Sequence, residues 1–139
     1  KAADLKMETI SGEWVSLHEV GAEYTILYFW EPNCGFCKEA APRLYGLYQK
    51  YRDRGLEVFA VDTQANREEW ENYINENGYD WINAWDPDQQ TYFRFYYDIY
   101  STPTLYLLDA DKTIIAKRVD VDALEQMLDQ LLGGNGEMN

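Results

Sequence analysis

Two cysteines, Cys34 and Cys37, stand in a C-x-x-C spacing just after an uninterrupted apolar run. No other feature constrains the fold as tightly. Residues 24–30 read YTILYFW, β-branched and aromatic without polar alternation. That is the pattern of a central strand buried on both faces. From Cys34 to Arg54 the period changes. Ala40, Leu44, Leu47, Tyr48 and Tyr51 recur at spacings of three and four and form one helical stripe. Lys50, Arg52 and Arg54 lie where cations suit the helix dipole, and Gly55 follows as a stop. Pro42 lies inside this helix and is expected to bend it. Cys34 therefore falls at the N-terminus of a helix that leaves a buried strand. Unpaired N–H groups and the positive dipole end favour a thiolate there. Thiolate is the attacking species in disulfide exchange. Cys37 comes one turn later, on the same face and more enclosed, where it can attack a mixed disulfide formed at Cys34.

A disulfide across so short a loop constrains the unfolded chain little, so the pair points to chemistry or metal and not to a scaffold. Zinc needs four ligands, and the chain has one histidine, His18, expected at the surface of the N-terminal segment. No metal, flavin or nucleotide cofactor is implied, because the electrons sit on the cysteines.

The length of 139 residues suits one domain, read here as residues 1–132 with a flexible tail at 133–139. Hydrophobic residues at 46% and aromatics at 16% exclude disorder for the bulk of the chain. No run approaches the roughly 20 apolar residues of a membrane-spanning helix. With 12 Lys and Arg against 25 Asp and Glu, the net charge is −13. A surface that acidic argues against nucleic acid and against anionic lipid heads as partners. The chain starts at Lys1, which implies a removed leader or a piece of a longer protein.

Residues 5–9 and 14–17 flank the Ser11-Gly12 turn signal and suggest a hairpin. Residues 56–61 (LEVFAV) form a second buried-strand candidate. Asn66 offers an N-cap with Glu69 three residues on, close to a capping box, for a helix carrying Trp70, Tyr73 and Ile74 and stopping at Gly78. Residues 81–84 suggest a short strand. Asp86-Pro87 suggests the start of another helix, with proline first and Tyr92, Phe93, Phe95, Tyr96 and Tyr97 following. That aromatic cluster reads as core and amphipathic cover, with a partner groove as the alternative. Residues 104–108 and 113–117 read as strands of a hairpin. Asp120 or Asp122 caps a last helix with Val121, Leu124, Leu128 and Leu131 inward. The alternation predicts an α/β fold: a central mixed sheet flanked by helices on both faces, with parallel strands in the middle and an antiparallel hairpin at the edge.

The stretch YFWEPNCGFCKEAAPRL, with Pro42 five residues beyond the second cysteine, resembles the strand, active site and helix of the thioredoxin superfamily. Together with Ala3-Asp4-Leu5, the Ser11-Gly12 turn, residues 98–105 (DIYSTPTL) and the 68–85 insert, it resembles the extracytoplasmic TlpA/ResA-type thiol–disulfide oxidoreductases over nearly the whole chain. The resemblance implies a thioredoxin-like fold with an N-terminal β-hairpin and an αβ insert. It implies a cis Thr102–Pro103 bond beside the cysteines, with Thr102 and Pro103 holding an extended substrate segment as in strand addition. Trp30 is expected either to pack under the site or to touch substrate. The resemblance further implies exchange with protein thiols and disulfides, as a reductase recharged by an electron-donor protein, in a periplasmic or membrane-anchored setting. A monomer is expected.

Two positions depart from the family pattern. Tyr28 stands where thioredoxin has a buried Asp, and Ala40 where ResA-like members have a Glu. Glu39 is one residue off, about 100° round the helix, and is expected to face elsewhere. The proton acceptor for Cys37 is then Glu31 or water. These departures keep a second reading open, a peptide- or partner-binding module with little redox turnover. A peroxidase reading expects a Thr-x-x-Cys context, whereas Glu31-Pro32-Asn33 precedes Cys34.

Overall fold

A computed structural model describes residues 1–63, 66–87, 90–99 and 101–133. Of the tail expected at 133–139, Gly133 closes a π-helical turn from Asp129 and residues 134–139 lie outside the described residues. The chain runs β1 (Lys6–Thr9), β2 (Trp14–Ser16), β3 (Tyr24–Trp30), α1 (Gly35–Tyr51), β4 (Leu56–Asp62), α2 (Arg67–Asn77), β5 (Ile82–Trp85), α3 (Phe93–Tyr96), β6 (Thr104–Leu108), β7 (Ile114–Lys117) and α4 (Val121–Leu128). One seven-stranded sheet has the order β2-β1-β5-β4-β3-β6-β7. The pairs β3–β4 and β4–β5 are parallel; β1–β2, β1–β5, β3–β6 and β6–β7 are antiparallel. The predicted mixed sheet, hairpin and insert are all present.

The strand with no polar alternation occupies the middle. Residues 26–30 of β3 are all buried, because side chains of alternate parity meet separate cores. Ile26, Tyr28 and Trp30 join the core beneath α1, α2 and α4, with Cys37, Leu44, Trp70 and Leu124. Leu27 and Phe29 join the opposite core with Leu5, Met7, Leu17, Phe93 and Tyr97. Helices therefore cover both faces, as expected of such a strand.

Several boundaries differ from the sequence reading, each for a local reason. The buried stripe of α1 runs through Cys37, Ala41, Leu44, Leu47, Tyr48 and Tyr51, so Ala41 takes the inward place expected of Ala40. Asn66 caps α2 by accepting from the Glu69 N–H at 3.0 Å. Gly78, at φ 68°, ends that helix in the left-handed region glycine tolerates. The helix expected from Pro87 begins only at Phe93. The Asp86 carboxylate accepts from the N–H groups of Gln90 and Thr91 and from the Thr91 hydroxyl, closing a local turn in place of a cap; Asp88 and Gln89 lie outside the described residues. Asp120 caps α4 by accepting from the Ala123 N–H at 2.8 Å. Leu131 is 42% exposed, because residues 129–133 widen into a π-helical turn that rotates it off the inward stripe. His18 is half-buried, its Nε2 2.6 Å from the Ala2 carbonyl oxygen.

Candidate active site

Cys34 is the N-cap of α1, with extended backbone (φ −91°, ψ 118°), and its Sγ accepts from the Cys37 N–H at 3.1 Å. The two sulfurs form a disulfide across a Cα–Cα distance of 5.1 Å. Cys37 is buried, whereas Cys34 is only half-buried. The expected asymmetry between an accessible and an enclosed sulfur is thus present. The Thr102 carbonyl oxygen lies 3.3 Å from Cys34 Sγ. In the disulfide this is a close contact. The Thr102–Pro103 peptide bond is cis, and both residues are half-buried at the surface beside the disulfide.

Two sets of contacts hold the loop that carries Cys34. The Trp30 carbonyl, where β3 ends, accepts from the Thr63 N–H (2.9 Å) and hydroxyl (3.2 Å). The Thr63 carbonyl in turn accepts from Arg94 Nη2 at 2.6 Å. On the other side Asn33 Nδ2 donates to Glu69 Oε1 at 2.9 Å. Glu69 thus ties the residue before the nucleophile to α2, in place of the return bond of a full capping box. The sequence reading missed these residues. Partners 31 or more positions apart leave no local signal; only the Asn66–Glu69 spacing was visible.

Trp30 is 2% exposed. Its ring stacks on Tyr28 at 6.0 Å and tilts against Tyr73 at 5.4 Å. It packs in the core that also holds Cys37. Tyr28 is fully buried, and its hydroxyl has no hydrogen-bond partner among the described residues. Burial above all, then the neighbouring Tyr73 and Tyr79, pushes its phenol far above the usual tyrosine range. It stays neutral and supplies no base. Glu31 is half-buried, and its carbonyl accepts from the Cys34 N–H at 3.3 Å.

A groove of about 590 Å³ opens beside Pro103, lined by Phe36, Glu39, Ala40, Arg43, Leu105 and residues 118–121. Glu39 is exposed on its rim. Its offset takes it out of the buried position but leaves it at the groove that Ala40 lines. Among the described residues no group of three or more His, Cys, Asp or Glu could hold a metal.

A seven-stranded sheet with a C-x-x-C disulfide at the mouth of its first long helix defines a thioredoxin-like thiol–disulfide oxidoreductase. The chain belongs to the AhpC/TSA family, whose model matches residues 1–117. It is 24% identical over 127 residues to the thiol-disulfide oxidoreductase ResA of Bacillus thuringiensis (strain Al Hakam), covering 91% of this chain and 72% of the relative. Among solved structures it is similar to a domain of a possible thiol-disulfide isomerase from Cytophaga hutchinsonii ATCC 33406. That match has TM-score 0.88 and 40% identity, covering 94% of this chain and 90% of the other. It is also similar to a thiol:disulfide interchange protein from Bacteroides sp., with TM-score 0.87 and 25% identity, covering 98% and 90%. No helix of the described residues is long and apolar enough to cross a membrane.

Proposed function

We propose that this domain reduces disulfides of protein substrates outside the cytoplasm and is recharged by an electron-donor protein. The arrangement of Cys34 carries the reading. Its sulfur is accessible, caps a 17-residue helix and accepts the Cys37 N–H, so the helix terminus stabilises the thiolate that attacks. Cys34 attacks a substrate sulfur, and the substrate thiolate leaves and takes up a proton. Cys37 then loses its proton, attacks Cys34 Sγ and releases the second substrate thiol. Two electrons pass to the substrate, and the pair ends as the disulfide. Thr102 offers backbone groups to an extended substrate segment, and Pro103 shapes the surface on which it lies. Glu31 is the acceptor we assign to the Cys37 proton. The acidic surface favours diffusing protein partners over nucleic acid, and a single domain over residues 1–132 suffices for the chemistry.

Turbidity of insulin with dithiothreitol tests the reading. The wild type is expected to accelerate precipitation and Cys34→Ser to match the protein-free rate. Equal curves would sink it in favour of a binding module. Equilibration with glutathione then fixes direction: a couple near about −270 mV is a reductant, and one near about −120 mV is an oxidant.

A further inference from the structure

We propose that a second pocket, where the edge strand β2 and strand β1 meet α3, binds an organic cation: an ammonium or guanidinium group on an alkyl stem. Trp14, Tyr92 and Tyr96 wall it with aromatic rings, and Asp4 and Asp86 supply negative charge. It shares no lining residue with the groove at Pro103, and the proposal does not rest on the redox reading.

The pocket has a volume of about 540 Å³, within the range of small-ligand sites. The aromatic residues of 92–97 divide around it. Phe93 and Tyr97 enter the core against Phe29. Tyr92 and Tyr96 stay 69% and 58% exposed, and Trp14 of β2 stays 54% exposed. A single exposed ring is ordinary, but three around one cavity mark a contact surface. The backbone is bent to this placement. Tyr92 sits at φ 56°, in the left-handed region that a bulky residue seldom adopts. The Asp86 carboxylate holds the turn before it by accepting from the Gln90 and Thr91 N–H groups. The Tyr92 carbonyl accepts from the Tyr96 N–H at 3.1 Å, which sets the two tyrosines one turn apart.

Charge decides what kind of ligand fits. The face of an aromatic ring is negative and attracts a cation. The two carboxylates add full charges. Asp4 takes hydrogens from the Leu5 and His18 N–H groups and the Ser16 hydroxyl. Asp86 takes them from the Gln90 N–H and from the Thr91 N–H and hydroxyl. An ionised carboxylate offers about four lone-pair sites, so each keeps room for a ligand donor. Burial pushes the Asp4 carboxyl up, but the His18 and Ser16 hydrogen bonds outweigh it, so the group is charged at neutral pH. Lys6 also lines the pocket and offsets part of this charge without reversing it. An anion would meet both carboxylates and the ring faces, and a neutral ligand would gain nothing from them. The net charge of −13 further draws cations towards the surface. An alkyl stem can lie along the rings while its charged head reaches a carboxylate.

The test titrates the whole chain, in its disulfide form, with acetyl-Gly-Arg-Gly-amide, acetyl-Gly-Lys-Gly-amide and choline, against the neutral acetyl-Gly-Gln-Gly-amide. Nuclear magnetic resonance follows the Trp14 indole N–H and the amides of residues 90–96. The cations are expected to shift these signals and to bind about tenfold more tightly than the neutral peptide. The two cationic peptides are expected ahead of choline, because their stems cover the rings; that order assigns the site to a Lys or Arg side chain of a partner polypeptide. Choline ahead of the peptides supports the cation site and assigns it to a free quaternary amine. Tyr96→Ala and Trp14→Ala are each expected to weaken binding about threefold. Lys6→Gln removes the opposing charge and is expected to tighten binding about threefold, which keeps the test open if Trp14→Ala disturbs β2. Equal binding of neutral and cationic peptides, or shifts that avoid Trp14 and residues 90–96, overturn the site. So does weaker binding in Lys6→Gln, or unchanged affinity in both alanine variants.

Discussion

On one face of the sheet the N-terminal segment is clasped through a carboxylate. Asp4 accepts from the Ser16 hydroxyl through both its oxygens and from the N–H groups of Leu5 and His18, each at 2.9 Å. Nearby, the Tyr97 hydroxyl donates to the Ala3 carbonyl, and the Ala2 N–H donates to the Lys112 carbonyl. On the other face the redox pair has no such carboxylate at either family position. Among the described residues the Tyr28 hydroxyl is unpaired, and besides the bonded Cys37 sulfur the polar groups against Cys34 Sγ are the Cys37 N–H and the Thr102 carbonyl. One region fixes chain with a charged side chain; the other stabilises and presents a sulfur with main chain. The difference separates two demands. A clasp gains from a permanent charge that gathers donors. A sulfur that must change charge during turnover is served by dipoles that do not titrate.

The largest expected effect tests the main-chain half of this comparison. Cys37→Ser removes the resolving sulfur but keeps the N–H at position 37. Turnover with insulin is expected to vanish, a mixed disulfide on Cys34 is expected to accumulate, and iodoacetamide is expected to modify Cys34 at close to the wild-type rate in the dithiol state. Loss of that reactivity in the serine variant would show that the neighbouring thiol, and not the helix terminus, activates Cys34.

The clasp gives a smaller effect with a distinct pH signature. Burial pushes the Asp4 carboxyl up, but hydrogen bonds from the His18 N–H and the Ser16 hydroxyl outweigh it and hold the group below the usual carboxylate value. A depressed folded-state value means that Asp4 stabilises the fold above the unfolded value of about 3.9 and that this contribution fades as pH falls through the folded value. Asp4→Asn is expected to lower unfolding free energy by about 1 kcal/mol at pH 7, a modest figure because the residue is exposed to solvent. The gap to wild type should begin to narrow only below about pH 4 and keep shrinking as pH falls through the lower folded value. Urea unfolding at pH 7, 4 and 3 measures it; a constant gap would mean that the charge contributes nothing. The glutathione equilibrium is expected not to move.

How much of this was legible beforehand follows from the range of the interactions involved. Residues 24–30 announced β3 to the residue, because a strand buried on both faces is apolar or β-branched along its length, a local property. Cys34, Cys37, Thr102 and Pro103 were visible as short patterns, and the structure brings them together. The helix expected from Asp86-Pro87 begins only at Phe93, because the Asp86 carboxylate accepts from the Gln90 and Thr91 N–H groups, and the residue pair alone does not say which N–H groups the carboxylate finds. The burial of Trp30 against Tyr28 and Tyr73 arises between segments distant in the chain, and sequence does not carry burial of that kind. The Asn33–Glu69 tie, the Thr63–Arg94 contacts and the groove at Ala40 arise between segments far apart in the chain, so no local pattern encodes them.

The smallest effect bears on Tyr28, the residue that most separates this site from the clasp. Its ring stacks on Trp30 and meets Trp81 edge-on at 6.0 Å, so the aromatic body contributes packing. The hydroxyl is buried with no partner among the described residues, which costs desolvation and returns nothing. Tyr28→Phe keeps the ring and removes the oxygen. Stability is expected to stay level or rise by up to about 1 kcal/mol, and the rate of insulin reduction is expected to stay within twofold of wild type between pH 6 and 9. A marked fall in rate at constant stability would show that the phenol handles a proton in the reaction. Tyr28 would then hold the proton-accepting part assigned above to Glu31.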